Sequence, residues 1–289
     1  MENTTSGPSP SFGPFVQIAG FESEIRGLCS RTTPTADQIC VATESEVVCL
    51  EHDPSSGSPP QFNNETMFTI PSSPDLYTVD LGCGDVNLDG VGDLTLLQTG
   101  STSNAVPAVL TIVLVDDNGN TTSIPGIDLP WFEAGVVQNW SDLIGVIGSD
   151  GDPELPSEAC ALRFNSPANT LTGCSETYRL GLGTSAMSID DVNGDQHPDL
   201  IAANQVSNDV TVLLNDGNDG FSPDQRGPFP TGENPRDVIS GGDINFDGIT
   251  EIVTSNESNF TAIFSPGFLI FRDGMDPKPF VIESVEHPD

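Results

Sequence analysis

The chain has 289 residues, of which 43 are acidic and 8 are basic, and its formal net charge is −35. Such a charge disfavours binding to nucleic acid and to anionic membranes, and it attracts cations or basic partners. The 24 Pro and 29 Gly leave little room for long helices, and the sequence has no run of about 18 apolar residues that would predict a membrane span.

The chain starts with residues 1–14, which we interpret as an extension that precedes a folded domain of residues 15–289. This start has neither the basic region nor the apolar stretch of a signal peptide. If the protein is secreted, we therefore expect this sequence to be a mature or trimmed form.

Short apolar or β-branched runs bounded by turn-forming residues predict β-strands along the whole domain. Five of these runs are opened by an acidic residue, namely Asp37, Asp93, Asp142, Asp199 and Glu251. The separations between these residues are 56, 49, 57 and 52. In four of the five units a second apolar run follows, at 46–50, 110–115, 210–214 and 267–271. The pattern predicts five repeated units of about fifty residues.

Three of the units contain a nine-residue loop of one pattern, and we name these loop A (85–93), loop B (191–199) and loop C (243–251). Oxygen-bearing side chains stand at loop positions 1, 3, 5 and 9, and a main-chain carbonyl is available at position 7. Such a donor set suits a hard cation such as Ca²⁺, so we expect about three calcium ions. The candidate metal ligands are Asp85, Asn87, Asp89, Val91 and Asp93 in loop A, Asp191, Asn193, Asp195, His197 and Asp199 in loop B, and Asp243, Asn245, Asp247, Ile249 and Glu251 in loop C.

The EF-hand is the nearest competing interpretation of these loops. An EF-hand needs a bidentate Glu at position 12 and lies between two helices. Position 12 is Leu96, Ala202 and Thr254 in the three loops, and the residues that follow have the pattern of strands. The loops are therefore predicted to join β-strands.

Four short antiparallel strands in each unit of about fifty residues are typical of a β-propeller blade, whereas a sandwich gives no reason for a fixed period. The fold class is predicted to be all-β, with about five four-stranded blades. Six candidate outer strands lie at 15–18, 67–70, 122–124, 178–180, around Phe229 and at 280–283. Since these exceed the five sets of inner strands, two alternatives stay open: a fragment of a larger ring, or a five-bladed ring with a spare terminal strand.

The units resemble the FG-GAP or VCBS repeats of integrin α-subunit-type propellers, whose loop signature is Asp-x-Asn-x-Asp-Gly-x-x-Asp. The resemblance covers residues 15 to 285. Loop B departs from the signature with Gln196 where Gly is usual, and loop C ends in Glu251 rather than Asp. The resemblance implies that each calcium ion is structural and braces the loop between the first two strands of a blade.

The six cysteines favour an oxidising, extracellular or cell-surface compartment. The strand assignment pairs Cys40 with Cys49 and Cys160 with Cys174, which leaves Cys29 and Cys83 as a third pair. Six cysteines allow 15 connectivities, and six buried free thiols are the alternative.

We identify no catalytic motif in the sequence. The leading hypothesis is a calcium-stabilised extracellular binding or adhesion module that recognises a protein or a glycan. The alternative is a polysaccharide lyase or a lectin on the same scaffold. A lyase needs a basic residue near bound calcium, for which the candidates are Arg179, Arg236 and Arg272.

Overall fold

The computed structural model describes residues 24–272 apart from 35, 54, 56–60, 102, 150–154, 173, 175, 219, 244–248, 259 and 264–269. Within this part the chain forms 22 β-strands and one short 3-10 turn at Ser166–Ala168. The strands make five antiparallel sheets of four or five strands, and each sheet is built from strands that are consecutive in the chain. We call the sheets blades one to five. The predicted all-β architecture of about five blades is confirmed, whereas the predicted domain start at residue 15 lies outside the described residues.

Blades one and two are simple meanders in which each strand pairs with the next. The second strand of blade two is buried on both faces, because a neighbouring blade covers each side of it. This is why its sequence is a continuous apolar run and not an alternating one. The strands of these two blades are β1 (Gly27–Thr32), β2 (Asp37–Ala42), β3 (Glu46–Asp53), β4 (Gln61–Thr69), β5 (Tyr77–Gly84), β6 (Asp93–Thr99), β7 (Val109–Val115) and β8 (Thr121–Asp128).

Blades three and four each divide their outer position between two short strands, whereas blade five is again a simple meander. The strands of blade three are β9 (Glu133–Trp140), β10 (Leu143–Ser149), β11 (Pro156–Asn165), β12 (Thr170–Thr172) and β13 (Tyr178–Leu182). The strands of blade four are β14 (Thr184–Asp190), β15 (Asp199–Asn204), β16 (Asp209–Asn215), β17 (Phe221–Pro223) and β18 (Phe229–Pro230). The strands of blade five are β19 (Asp237–Gly242), β20 (Glu251–Ser255), β21 (Phe260–Ile263) and β22 (Ile270–Arg272).

The predicted repeat units coincide with the blades. Four of the five acidic residues begin the second strand of a blade, and Asp142 directly precedes β10. The outer strands predicted at 67–70, 122–124, 178–180 and Phe229 overlap β4, β8, β13 and β18. The remaining candidates, at 15–18 and 280–283, lie outside the described residues.

One strand prediction in blade five is wrong. The run at 267–271 was expected to be the strand that follows β20, but that strand is β21, and β22 is the outer strand. β21 has only four residues and contains Thr261, so its sequence has a weak strand pattern. The longer apolar run at 267–271 was therefore assigned as this strand in its place.

The blades lie side by side in chain order. The first strand of each blade contacts the first strand of the next, from β1 through β5, β9 and β14 to β19. Four apolar cores fill the spaces between neighbouring blades. Among the described residues no comparable contact joins β19 to β1, so the five blades form an arc and not a closed ring.

Three disulfide bonds are present, and they are the three predicted pairs. Cys40 and Cys49 are directly opposite each other on β2 and β3, so their bond lies within blade one. The bond between Cys29 on β1 and Cys83 on β5 joins blade one to blade two. The described part of the chain contains no helix that could span a bilayer.

Candidate functional site

Loops A, B and C each connect the first strand of a blade to the second, in blades two, four and five respectively. The first strands form one row in which β9 separates β5 from β14, and each loop begins at the end of its own first strand. Blades one and three make the same connection with only a few residues.

In loop A the side chains at positions 1, 3 and 5 turn inward and bind the loop's own backbone. The two carboxylate oxygens of Asp85 accept hydrogen bonds from the N–H groups of Asp89 at 3.0 Å and Gly90 at 2.8 Å. Asp89 Oδ1 accepts the N–H of Val91 at 2.8 Å, and Asn87 Nδ2 donates to Asp89 Oδ2 at 2.9 Å. These bonds gather three oxygen-bearing side chains into one tight turn.

Loop B repeats this arrangement atom for atom. Asp191 accepts hydrogen bonds from the N–H groups of Asp195 at 3.1 Å and Gln196 at 2.8 Å. Asp195 Oδ1 accepts the N–H of His197 at 2.9 Å, and Asn193 Nδ2 donates to Asp195 Oδ2 at 3.0 Å. Two loops about a hundred residues apart in the sequence therefore share one local structure.

The carboxylate at position 9 anchors each of these loops to the third strand of its blade. Asp93 is fully buried; its Oδ1 accepts the N–H of Val115 at 2.9 Å and its Oδ2 accepts the N–H of Val86 at 3.1 Å. Asp199 is also fully buried and accepts the corresponding N–H groups of β16 and of loop B at 2.9 and 3.2 Å. Each oxygen keeps a second lone pair that a cation could use.

Burial dominates the electrostatics of position 9. It raises the pKa of Asp93 and of Asp199 to about 7, because desolvation disfavours the charged form. The neighbouring Asp89 raises the pKa of Asp93 further, while the main-chain N–H groups lower it. A cation bound among these carboxylates would favour their charged forms.

Positions 4 and 6 of both loops adopt the left-handed backbone conformation. Leu88 and Gly90 have φ of 62° and 90° in loop A, and Gly194 and Gln196 have φ of 79° and 70° in loop B. The signature glycine at position 6 meets this requirement in loop A, and Gln196 adopts the same conformation without it. The requirement at position 4 was missed from the sequence; Gly194 was the one signal that could have revealed it.

Loop C is described only in part. Asn245 and Asp247 lie outside the described residues, while Asp243, Ile249 and Glu251 lie within them. Glu251 opens β20 and is 1% exposed, as buried as Asp93 and Asp199. The ligand set of loop C therefore stays a prediction.

The donor chemistry of loops A and B fits a hard cation. Among the described residues no three His, Cys, Asp or Glu side chains are grouped closely enough to hold a metal by themselves. A cation in these loops would therefore also need the Asn side chains and the carbonyl oxygen at position 7. At position 7, the side chain of Val91 is buried and that of His197 is exposed, so the main-chain carbonyl is the only possible ligand that both loops share at this position.

Loop A is also attached to blade one, which the sequence did not predict. The N–H of Gly92 donates to the carbonyl of Thr32 at 2.8 Å, and the buried Arg31 donates from Nε to the carbonyl of Gly92. A Cβ atom on Gly92 would lie 2.8 Å from Arg31 Cγ and 3.0 Å from the Thr32 carbonyl oxygen, so this close approach requires glycine.

The arginines considered for a lyase are distributed over different blades. Arg179 is exposed on β13, the outer strand of blade three, whereas Arg236 is exposed just before β19, the first strand of blade five. Arg272 ends β22, and its side chain lies outside the described part of the structure. Arg179 and Arg236 therefore share neither a strand nor a blade.

Residues 191–254 match the family model of the FG-GAP-like repeat. The matched segment begins at loop B and ends within β20, so it includes loops B and C. The resemblance derived from the loop signature is thereby confirmed for this segment. No curated protein matches the chain by sequence.

Among solved structures, the chain is similar to a functionally unknown protein from Desulfotomaculum acetoxidans. The TM-score is 0.57 at 10% identity, and the match covers 89% of this chain and 71% of that one. The chain is also similar to a proposed 6-phosphogluconolactonase from Bacteroides uniformis, with a TM-score of 0.55 at 12% identity. That match covers 74% of this chain and 57% of the other. At such identities the likeness shows the fold alone.

Proposed function

We propose that this chain, which carries an FG-GAP-like repeat on an arc of propeller blades, is a calcium-stabilised extracellular module that binds a protein or a glycan. The observation that carries the proposal is the set of hydrogen bonds that loops A and B share. In both, three oxygen-bearing side chains turn into one loop, beside a fully buried carboxylate at position 9.

The calcium ion supplies positive charge that holds these carboxylates together. In loop A, Asp85, Asn87, Asp89 and Asp93 and the carbonyl of Val91 would hold it. In loop B the corresponding groups are those of Asp191, Asn193, Asp195, His197 and Asp199, with His197 contributing its carbonyl. Loop C would use Asp243, Asn245, Asp247, the carbonyl of Ile249 and Glu251. Without the cation, repulsion between the clustered carboxylates opposes the closed turn.

Two further observations support the extracellular setting and the type of partner. Three disulfide bonds form and persist in oxidising compartments, which favours a secreted or surface-displayed protein. The net charge of −35 favours basic or uncharged partners over nucleic acid.

The proposal is tested by thermal unfolding in excess EDTA and in millimolar calcium. Extracellular calcium modules bind with Kd on the order of 10⁻⁴ to 10⁻³ M, so each site would contribute about 1 kcal/mol at millimolar calcium. For a chain of this size, three sites would raise the Tm by roughly 5 to 10 °C. Each of Asp89→Ala, Asp195→Ala and Asp247→Ala is expected to remove about a third of that rise.

Asp117→Ala is the matched control, because Asp117 is an exposed acidic residue outside the three loops. It should leave the calcium-induced rise unchanged. A wild-type Tm that does not respond to calcium would refute the proposal, since the loops would then be acidic turns without a bound ion.

A further inference from the structure

A cavity of about 370 Å³ lies between loop A and the adjacent end of blade three. This volume is at the lower end of the range of small-molecule sites. Loop A contributes one wall, and the start of β10 and the end of β11 contribute the other. Its lining includes Leu88, Asp142, Arg163, Asn165 and Ser166.

Leu88 is an unusual residue for its place in loop A. It has a φ of 62°, which is unfavourable for a branched apolar residue, and its side chain is 63% exposed. Loop B has Gly194 at the same position, so the loop structure does not itself require leucine. Leu88 lines the cavity. Contact with a bound molecule would therefore explain a leucine at this position, which the backbone of the loop does not.

The opposite wall carries a neutralised ion pair. Arg163 Nη1 donates to both carboxylate oxygens of Asp142 at 3.1 Å, and each side chain is about 30% exposed. Because the two charges cancel, the wall has no net charge, yet it offers both acceptor and donor atoms to the cavity. Asn165 and Ser166 are exposed beside it and offer an amide and a hydroxyl group.

We infer that this cavity binds an uncharged saccharide. The C–H face of a sugar ring would lie against the exposed side chain of Leu88, and its hydroxyl groups would bond to Asp142, Arg163 and Asn165. A hydroxyl both donates and accepts, so it suits a wall that presents a carboxylate and a guanidinium together. An anionic sugar is disfavoured by the net charge of −35. The inference deepens the proposed function and rests on it for the ordered state of loop A.

The test is ligand-observed NMR in millimolar calcium with a panel of methyl glycosides of glucose, galactose, mannose, xylose and N-acetylglucosamine. At least one of these sugars should bind the wild type. Leu88→Gly should weaken that binding about tenfold or more, because the variant loses the apolar area that Leu88 would bury against the sugar. Failure of every sugar in the panel to bind, or equal binding by Leu88→Gly, would overturn the inference.

Two comparisons separate this inference from the calcium proposal. Leu88→Gly should keep the full calcium-induced rise in Tm, because loop B already has glycine at this position. Asp195→Ala in loop B should reduce that rise and leave sugar binding unchanged, because loop B does not line the cavity. If wild type binds sugar through Leu88 but its Tm ignores calcium, the cavity inference stands and the calcium proposal fails. If the Tm responds to calcium but no sugar binds, the reverse holds.

Discussion

Asp80 joins two blades through a single carboxylate. It lies on β5, and its Oδ2 accepts the N–H of Val137 on β9 at 2.9 Å, while its Oδ1 accepts the N–H of Leu81 at 2.9 Å. Burial raises the pKa of Asp80 to about 6, against the opposing effect of these two N–H groups. The residue therefore gives both a contact between first strands and a pH-dependent contribution to stability.

We predict that Asp80→Asn reduces the pH dependence of stability between pH 4 and pH 7. The folded-state pKa is above the ordinary value of 3.8, so the folded state holds this proton more tightly than the unfolded state. The stabilisation is fully present below about pH 4 and is lost as pH rises through about 6. Relative to the variant, wild type should gain up to roughly 3 kcal/mol over this fall in pH.

Urea unfolding at a series of pH values, in constant calcium, measures this difference. Asp117→Asn replaces an exposed carboxylate and serves as the control, with the pH profile of wild type. Parallel pH profiles for wild type and Asp80→Asn would contradict the prediction.

Single residues also mark the limit of what the sequence predicts. Ligand chemistry was enough to select positions 1, 3, 5 and 9 of the loops, because side-chain oxygen atoms at fixed spacing are visible in the sequence. The left-handed conformation of Leu88 and the bond from Arg31 to Gly92 were not predicted. The first is a property of the backbone, and the second joins residues 61 apart that meet only when two blades pack.

At the scale of elements, the disulfide bonds differ in what they connect. Cys40–Cys49 closes a separation of 9 residues within one hairpin, whereas Cys29–Cys83 closes a separation of 54 and joins the first strands of two blades. In the chain-entropy account, a cross-link over the longer separation restricts the unfolded chain more.

We therefore predict that removing Cys29–Cys83 destabilises the protein more than removing Cys40–Cys49. The expected losses of unfolding free energy are about 4 and about 2.5 kcal/mol respectively. The measurement is urea unfolding of Cys29→Ala/Cys83→Ala and of Cys40→Ala/Cys49→Ala under oxidising conditions. The same variants under reducing conditions report the packing effect of alanine alone, which is subtracted. An equal cross-link contribution from the two pairs would be evidence against this account.

Elements with a strong local pattern were predicted well, and those fixed by tertiary packing were not. The second strands were found because each begins at or just after an acidic residue, and because β6 and β15 are buried on both faces and so are continuous apolar runs. The division of the outer position in blades three and four was missed, since β12, β17 and β18 have only two or three residues each. Such short strands are defined by their pairing with β11 or β16 and have no period of their own.

At the scale of the whole molecule, charge is far from balanced. Three divalent cations would neutralise only six of the 35 excess negative charges. Repulsion among the remaining carboxylates opposes the compact state and is weakened by dissolved salt.

We predict that the Tm of the protein in millimolar calcium rises by several degrees between 0.1 M and 1 M NaCl. The Debye length falls from about 10 Å to about 3 Å over this range, so repulsion between surface carboxylates is screened. Calorimetry at fixed calcium measures the rise, and KCl at equal ionic strength should reproduce it. A Tm that is unchanged or lower at 1 M salt would show that repulsion does not limit stability.

The chain order of the blades bears on how the protein folds. Each sheet is made of consecutive strands, and each of the four described cores is made of two blades that are adjacent in the chain. Folding of one blade therefore need not wait for the opposite end of the chain, and N-terminal units generally fold first during synthesis. Cys29 and Cys83 both lie within the first two blades, so their bond can close while the later blades are still being translated.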